Sequence, residues 1–222
     1  MSEGVGVLVV DDHPMFAQAL EMLIEAEPDF RVVGVVGSGE EAVEAASSSC
    51  PDVVLMDIDL PGMSGIEATR LLVGRCPDTR IVVISALQPD EVLLDAIEAG
   101  AGGVISKTEA VDAILDVVRR ASAGDVVLPP GDSLGLLRRL QMTRRDRSER
   151  DRRLDQLTDR EVEILQRLAE AKTTDEVASA LFISPHTVHA HMRSILRKLE
   201  ARSKLEAVLL ALRHGRVELP RP

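Results

Sequence analysis

The sequence contains no tryptophan and no tyrosine, and its only aromatic residues are Phe16, Phe30 and Phe182. Hydrophobic residues make up 45% of the chain, so its core must be almost wholly aliphatic. Cysteine is scarce too: Cys50 and Cys76 are too few for a disulfide framework and lack metal-ligand spacing, which indicates a reducing compartment. No apolar run approaches the roughly 18 residues of a membrane span, and the N-terminus lacks the features of a signal peptide. We therefore expect a cytoplasmic protein without a membrane segment.

The charge is unevenly distributed along the chain. The 222 residues carry a formal net charge of −11, which by itself disfavours a nucleic-acid partner. Residues 1–126 hold 7 basic and 23 acidic side chains, however, whereas residues 127–222 hold 19 and 14. This asymmetry indicates two domains with different partners. Chance clustering of surface charge is the alternative, and charge alone does not decide between the two.

Short runs rich in Val and Ile alternate with segments of helical spacing in the first half of the chain. The runs are Val5–Val10, Val32–Val36, Val53–Met56, Ile81–Ile84 and Gly103–Ile105. The helical segments are Met15–Glu25, Glu40–Ser47, Gly65–Gly74, Asp90–Ala99 and Glu109–Arg120. Five such units in succession predict an α/β fold, a doubly wound five-stranded parallel sheet with helices on both faces. In such sheets function gathers at the carboxyl ends of the strands.

Polar side chains stand at four of those strand ends. Asp11 and Asp12 follow the first strand, Asp57 ends the third, Ser85 ends the fourth and Lys107 follows the fifth. Three carboxylates at one edge need a cation, and oxygen ligands suit Mg²⁺. With the Lys107 ammonium and the Ser85 hydroxyl, this edge is suited to a phosphoryl group on Asp57. The alternative is that strand-end acids are merely solvated, but this explains a single acid and not all five polar residues at matching strand ends.

Two stretches carry a resemblance to a known family. They are Val9-Val10-Asp11-Asp12-His13-Pro14 and Asp57-Ile58-Asp59-Leu60-Pro61-Gly62-Met63-Ser64-Gly65. With Ser85-Ala86 and Lys107, they make residues 1–122 resemble a response-regulator receiver domain. The resemblance implies that Asp57 accepts a phosphoryl group from a sensor histidine kinase. It also implies Mg²⁺ held by Asp11, Asp12, Asp57 and the backbone carbonyl of Asp59, with Ser85, Ala86 and Lys107 around the phosphoryl group.

Aspartate phosphohydrolases of the haloacid-dehalogenase type also place Asp-x-Asp after a strand. They carry it on the first strand with a second acidic motif later, whereas here the extra acidic pair precedes Asp57, so the motif order favours the receiver. One position departs from the receiver pattern: Val104 stands three residues before Lys107, where an aromatic residue is usual. We hypothesise that phosphorylation therefore couples less tightly to the output surface. A valine that simply fills the same space is the alternative.

The pattern is helical from Thr158 onward. Two capping boxes and a Ser-Pro pair mark helix starts after Thr158, Thr173 and Ser184. The predicted helices span 159–170, 174–181, 185–199 and 204–213. The third has one apolar face and one face of basic and small residues. This pattern predicts a helix-turn-helix whose second helix enters the major groove of DNA.

The segments Leu157–Leu165 and Ile183–Leu199 resemble a LuxR-type DNA-binding domain, and the whole chain resembles a regulator of the NarL/FixJ type. The resemblance implies double-stranded DNA as a partner. The expected DNA contacts are His186, Thr187, His189, Ala190, Arg193, Arg197 and Lys198. Two positions depart from the family, since Asp175 and His189 stand where lysine is common. Because imidazole gains charge near pH ~6.5, we expect tighter DNA binding at pH 6 than at pH 8.

The last helix carries an apolar stripe of Leu205, Val208, Leu209 and Leu212. The stripe packs within its own domain or pairs two copies of the chain, and the sequence cannot divide it between these roles. We expect a receiver over residues 1–122, a linker with a short helix over 123–154, and a DNA-binding domain over 155–222. The predicted function is a transcription factor, not an enzyme, which forms a homodimer when phosphorylated. A phosphorylation-independent regulator that keeps the receiver for docking is the alternative.

Overall fold

The computed structural model describes residues 4–86, 90–108, 111–128, 133–142 and 153–220. Its first half contains a five-stranded, wholly parallel sheet in the order β2-β1-β3-β4-β5. The strands are β1 (Val5–Val10), β2 (Phe30–Val36), β3 (Val53–Asp57), β4 (Arg80–Ser85) and β5 (Gly103–Ser106). The predicted sheet is confirmed. Strand β1 has the predicted bounds, and the other four are one or two residues longer than predicted.

Helices cover both faces of the sheet. They are α1 (Pro14–Glu25), α2 (Gly39–Ser49), α3 (Gly65–Arg75), α4 (Asp90–Ala99) and α5 (Val111–Ser122). Val7 and Val9 of β1 join a buried cluster with α1 and α5, whereas Leu8 and Val10 join one with α2 and α3. Successive strand residues point to opposite faces, so a continuous apolar strand is buried on both sides. This is why β1 and β3 read as unbroken hydrophobic runs.

The chain direction around β1 defines where a site can form. Strand β2 lies on one side of β1 and β3 on the other, so the strand order reverses at this point. The connections leave a crevice at the carboxyl ends of the strands next to such a reversal. Asp11 directly follows β1 and Asp57 is the last residue of β3, which places both carboxylates at the mouth of that crevice.

Within residues 158–214, the structure contains four helices: α7 (Asp159–Ala169), α8 (Thr174–Ala180), α9 (Pro185–Leu199) and α10 (Lys204–Arg213). Both predicted capping boxes are present, with Thr158 and Thr173 each accepting a hydrogen bond from the backbone of a glutamate three residues on. Ser184 caps α9 in the same way and Pro185 opens it. Among the described residues, none of the helices is both long and apolar enough to cross a membrane.

The segment between the two halves packs against both of them. Val127 continues the sheet edge, because its carbonyl accepts a hydrogen bond from the Val104 amide at 3.0 Å. Helix α6 (Ser133–Met142) buries Leu137 and Leu140 in one apolar cluster with α4, β5 and the C-terminal helices. The predicted short helix is therefore present as part of the contact between the halves. Within the expected linker, residues 143–152 lie outside the described part of the chain.

Candidate functional site

The carboxylates that follow β1 and β3 share one lysine. The Lys107 Nζ atom lies 2.7 Å from Asp57 Oδ2 and 2.7 Å from Asp11 Oδ2. Asp57 is 1% exposed and Asp11 is 4% exposed, so two negative charges are held away from solvent around a single ammonium group. An isolated buried carboxylate is strongly disfavoured unless a positive charge compensates it. The lysine compensates the pair only in part, which leaves a site that attracts a further cation.

Burial and charge act on these groups in opposite directions. Burial raises the pKa of Asp57, and the hydrogen bond and charge of Lys107 only partly offset it. Burial works against the charge of Lys107, but its hydrogen bonds to Asp11 and Asp57 outweigh that effect and raise its pKa. Lys107 therefore stays charged, while the excess negative charge resides on the two carboxylates.

The acidic cluster also contains Asp12 and one residue that the sequence argument did not single out. One ligand atom each from Asp11, Asp12, His13 and Asp57 lie within 4.8 Å of one another. His13 Nδ1 is 2.7 Å from Asp12 Oδ1, and the His13 amide donates to Asp11 Oδ1 at 2.9 Å. Its position directly after the acidic pair was the available signal. Three clustered carboxylates supply hard oxygen ligands, so the donor set fits a magnesium-like cation.

Asp59 lies at the edge of this cluster. Its side chain is exposed and is not among the clustered ligand atoms, while its amide donates to Asp57 Oδ1 at 3.3 Å. The backbone amide of Asp59 thus contacts the Asp57 carboxylate, while the expected role of the Asp59 carbonyl in holding Mg²⁺ stays a prediction. Nearby, the Cα of Gly65 packs so closely on the Asp57 carbonyl that an added Cβ would lie 1.8 Å from that oxygen. Only glycine allows α3 to begin this close to Asp57.

The remaining predicted residues lie along the ends of β4 and β5. Ser85 is 4% exposed and ends β4, and Ala86 next to it is exposed. Ser85 of β4 lies opposite Ser106 of β5, and Ser106 is the residue that precedes Lys107. Val104 is 2% exposed and belongs to the apolar cluster that joins the two halves of the chain. Its side chain therefore fills buried space and does not reach the acidic cluster.

Helix α9 presents the surface expected to meet DNA. His186, Ala190, Arg193 and Arg197 are exposed, whereas Val188, Met192, Ile195 and Leu199 are buried, so the predicted apolar and polar faces are both observed. Thr187 is half-buried, with its Oγ1 2.8 Å from the Ser184 hydroxyl at the start of the helix. Thr187 therefore takes part in the cap of α9.

Two other members of that predicted set are occupied within the chain. Lys198 donates to Glu161 Oε2 at 2.6 Å, and Glu161 is 3% exposed. A buried carboxylate is strongly destabilising unless a cation compensates its charge. Lys198 therefore points inward, toward Glu161, and not toward a DNA phosphate. His189 is half-buried and faces the first half of the chain, where a side chain on Gly124 would meet its ring at 3.8 Å. Burial and the charge of Lys204 lower the pKa of His189.

The stripe on α10 is buried within one chain. Leu205, Val208, Leu209 and Leu212 are each at most 2% exposed, and all belong to the cluster that also contains residues of α4 and α6. Polar contacts reinforce this packing. Arg213 lies 3.3 Å from Glu98 Oε1 of α4, and Gln141 of α6 donates to the Leu212 carbonyl at 2.7 Å. In this arrangement the stripe has no free face for a second copy.

Comparison with known families defines the class of protein. Residues 7–119 match the response regulator receiver domain, and residues 155–211 match the bacterial regulatory proteins of the luxR family. The chain therefore belongs to the response regulators that combine a receiver domain with a LuxR-type DNA-binding domain.

Relatives of the same length support this assignment. The chain is 33% identical over 216 residues to a nitrate/nitrite response regulator protein homolog of Haemophilus influenzae, covering 97% of this chain and 100% of that protein. It is 37% identical over 210 residues to the transcriptional regulatory protein LiaR of Bacillus subtilis, covering 95% and 98%. Among solved structures, it is similar to the response regulator ChrA of a heme-sensing two-component system, with 28% identity, a TM-score of 0.52 and coverage of 96% and 98%. The protein is thus a two-component response regulator of the transcriptional type.

Proposed function

We propose that phosphorylation of Asp57 controls DNA binding by this regulator. The observation that carries the proposal is the buried Asp57 carboxylate, held 2.7 Å from Lys107 at the end of β3. Its environment combines a nucleophilic carboxylate, a fixed positive charge and a cluster of further carboxylates. We propose a receiver over residues 1–122, a linking segment over 123–154 and a DNA-binding domain over 155–222.

The phosphoryl transfer uses the groups at this site and a phosphorylated donor, with Mg²⁺ as the expected cofactor. The Asp57 carboxylate attacks phosphorus of a kinase phosphohistidine, an O–P bond forms, and the N–P bond breaks as the imidazole leaves and takes up a proton. Lys107 then pairs with the phosphoryl oxygens, and Ser85 donates its hydroxyl to one of them. The exposed Ala86 leaves space for the donor to approach.

Asp11, Asp12, Asp57 and the backbone carbonyl of Asp59 would hold Mg²⁺ here. When bound, the ion neutralises negative charge on the phosphoryl group during transfer. Asp11 and Lys107 are already 2.7 Å apart, so Lys107 can remain paired with Asp11 while its contact with Asp57 changes. The residues of this chain therefore orient the Asp57 carboxylate and balance its charge both before and after phosphorylation.

The output of the switch is double-stranded DNA. The exposed polar face of α9, with His186, Ala190, Arg193 and Arg197, is the surface that we propose to enter the major groove. Arg193 is suited to pair with guanine, and the methyl group of Ala190 to contact thymine. In this structure the two domains pack against each other, an arrangement that we call the closed form, and the α10 stripe is buried in it. We propose that phosphorylation frees the stripe for homodimerisation. A regulator that acts on chromosomal DNA works in the cytoplasm.

Labelling with acetyl phosphate tests the phosphoacceptor directly. We expect Mg²⁺-dependent incorporation of one phosphoryl group in the wild type and none in Asp57→Asn. The matched control is Asp59→Asn, which removes an exposed carboxylate two residues away and should keep the labelling. Incorporation that survives in Asp57→Asn, or is absent from the wild type, would favour the alternative of a phosphorylation-independent regulator with a docking receiver. Turnover of added phosphoesters would instead indicate a phosphatase.

A further inference from the structure

One carboxylate of the segment that directly follows the receiver is bound by the DNA-binding domain. Asp125 follows α5, and its Oδ1 atom accepts hydrogen bonds from the Thr174 amide at 2.9 Å and the Thr174 hydroxyl at 2.7 Å. The preceding residue, Gly124, has a φ of +74°, a conformation that glycine adopts without strain and that turns the chain toward α8. The start of the linking segment and the DNA-binding domain therefore meet through a charged acceptor on one side and two donors on the other.

A cation completes the group of donors at Thr174. Lys204 Nζ lies 3.2 Å from the Thr174 hydroxyl oxygen, and Thr174 itself is 5% exposed. Burial lowers the pKa of Lys204 to about 8, although the Asp125 carboxylate acts to raise it. Lys204 is thus a largely desolvated ammonium group whose charged form is favoured by an anion in the position of Asp125.

The surroundings of this contact carry an excess of positive charge. A cavity of about 350 Å³ between the two domains is lined by Arg80, Asp125, His189, Arg193 and Lys204, with Asp78 as a further acid. Basic side chains outnumber carboxylates there, and they come from both domains. A negatively charged group is the ligand that such a wall attracts.

We infer that Thr174 and Lys204 form a binding site for a phosphate of the DNA backbone, and that Asp125 occupies this site in the closed form in place of the phosphate. Carboxylates and phosphates offer the same kind of charged oxygen acceptor to amide, hydroxyl and ammonium donors. The inference rests on the proposed DNA-binding function. It goes beyond that function in assigning a particular site and its competitor.

The position of the site supports DNA as the source of the phosphate. Thr174 opens α8, the helix before α9, and the first helix of a helix-turn-helix crosses the DNA backbone. The neighbouring Asp175 repels phosphate, whereas a lysine is common at that position in the family and contacts phosphate there. The positive charge for such a contact must therefore come from another residue. Lys204, which begins α10, provides that positive charge. One site cannot hold Asp125 and a phosphate together, so DNA binding and domain closure oppose each other there.

DNA affinity measured across a salt series in the full-length chain tests the inference. Asp125→Ala removes the competing carboxylate, so we expect DNA binding without phosphorylation to become about 5- to 10-fold tighter. Lys204→Met is then added to Asp125→Ala, where the site is already free. We expect this double variant to bind more weakly than Asp125→Ala, with the slope of log K against log salt shallower by about 0.9, the value for one phosphate contact.

Two further variants keep the result interpretable. Arg216→Met in the Asp125→Ala background removes a cation that pairs with Asp155 beyond the far end of α10, and should leave the slope unchanged. Thr174→Val in the same background changes no charge, so relief of repulsion among the cavity cations cannot cause its effect. We expect it to weaken DNA binding by about 10-fold or more through loss of one hydrogen bond to a charged group.

The possible failures are distinguishable. If Asp125→Ala binds DNA no more tightly than the wild type, Asp125 does not compete with DNA. If Lys204→Met and Thr174→Val leave the affinity and the salt slope of Asp125→Ala unchanged, the contact is a latch between domains and not a phosphate site. Either result overturns the inference while the proposed function stands. Absence of DNA binding in every variant and in the phosphorylated wild type overturns both.

Discussion

Lys198 of α9 and Glu161 of α7 form an ion pair in which Nζ lies 2.6 Å from Oε2. The carboxylate also accepts hydrogen bonds from the amide and hydroxyl of Thr158, which cap α7. One buried acid therefore fixes the start of α7 and the C-terminal part of α9. Its role is structural, although Lys198 stands among residues that the sequence assigns to DNA.

Removing the cation of this pair should destabilise the DNA-binding domain. Lys198→Met leaves Glu161 buried without its partner, and we expect a loss of about 2–4 kcal/mol in the free energy of unfolding. Because the chain has no Trp or Tyr, urea unfolding is followed by far-UV circular dichroism. Arg197→Met, which removes an exposed neighbouring cation, should change stability by less than ~0.5 kcal/mol. Equal stability of the two variants would contradict the assigned role of Lys198.

The same pair predicts how this domain responds to acid. Burial acts to raise the pKa of Glu161, but the hydrogen bonds from Lys198 and Thr158 outweigh it and lower the pKa to about 2. A depressed pKa stabilises the folded state fully above the ordinary value of 4.5, and this contribution is lost as pH falls toward 2. Stability should therefore decline across that window in the wild type and decline less in Glu161→Gln. Parallel pH profiles for the two proteins would refute this.

His189 should make DNA binding depend on pH. In the closed form its pKa is lowered by burial and by the cations Lys204, Arg193 and Arg80, with Asp125 acting in the opposite direction. The closed form therefore binds the proton less well than an open form in which His189 is exposed, so protonation favours opening. We expect several-fold tighter DNA binding at pH 6 than at pH 7, a range in which Lys204 stays charged. The dependence should disappear in His189→Gln; a flat wild-type profile at constant ionic strength would reject it.

Val104 should control how tightly the domains pack. It is 2% exposed in the cluster that also contains Leu137 and Leu209. An aromatic ring at this position would overfill that space, at a cost of about 1–3 kcal/mol. We expect Val104→Tyr to lower the melting temperature and to raise DNA affinity without phosphorylation, whereas Val104→Ile should change both much less. If Val104→Tyr matches the wild type in both measurements, the closed form does not depend on this packing.

The acidic site follows from the sequence because each part of it depends on local information. A strand that ends in a polar residue places that residue at the edge of a parallel sheet, whatever the rest of the chain does. The sequence alone therefore predicts that Asp11, Asp57 and Lys107 lie together. The bounds of α9 and α10 also follow from local sequence. A Ser-Pro pair marks the start of α9, and apolar residues at helical spacing mark both helices.

The contacts between the domains could not be predicted in this way. Asp125 and Thr174 are 49 residues apart, and neither belongs to a repeating pattern. Leu137 and Leu140 show helical spacing, but periodicity does not say which surface buries them. The inward direction of Lys198 was missed for a related reason, since a basic residue beside a DNA-facing surface reads as a phosphate contact until its buried partner is known.

The affinity of the full-length protein for a DNA duplex selected from random sequence, before and after treatment with acetyl phosphate and Mg²⁺, tests the central claim most directly. We expect the phosphorylated wild type to bind at least about 10-fold more tightly than the untreated protein, in the range of ordinary allosteric coupling. Asp57→Asn should bind with the untreated affinity under both conditions. Equal affinity of the wild type with and without a phosphoryl group on Asp57 would contradict the account.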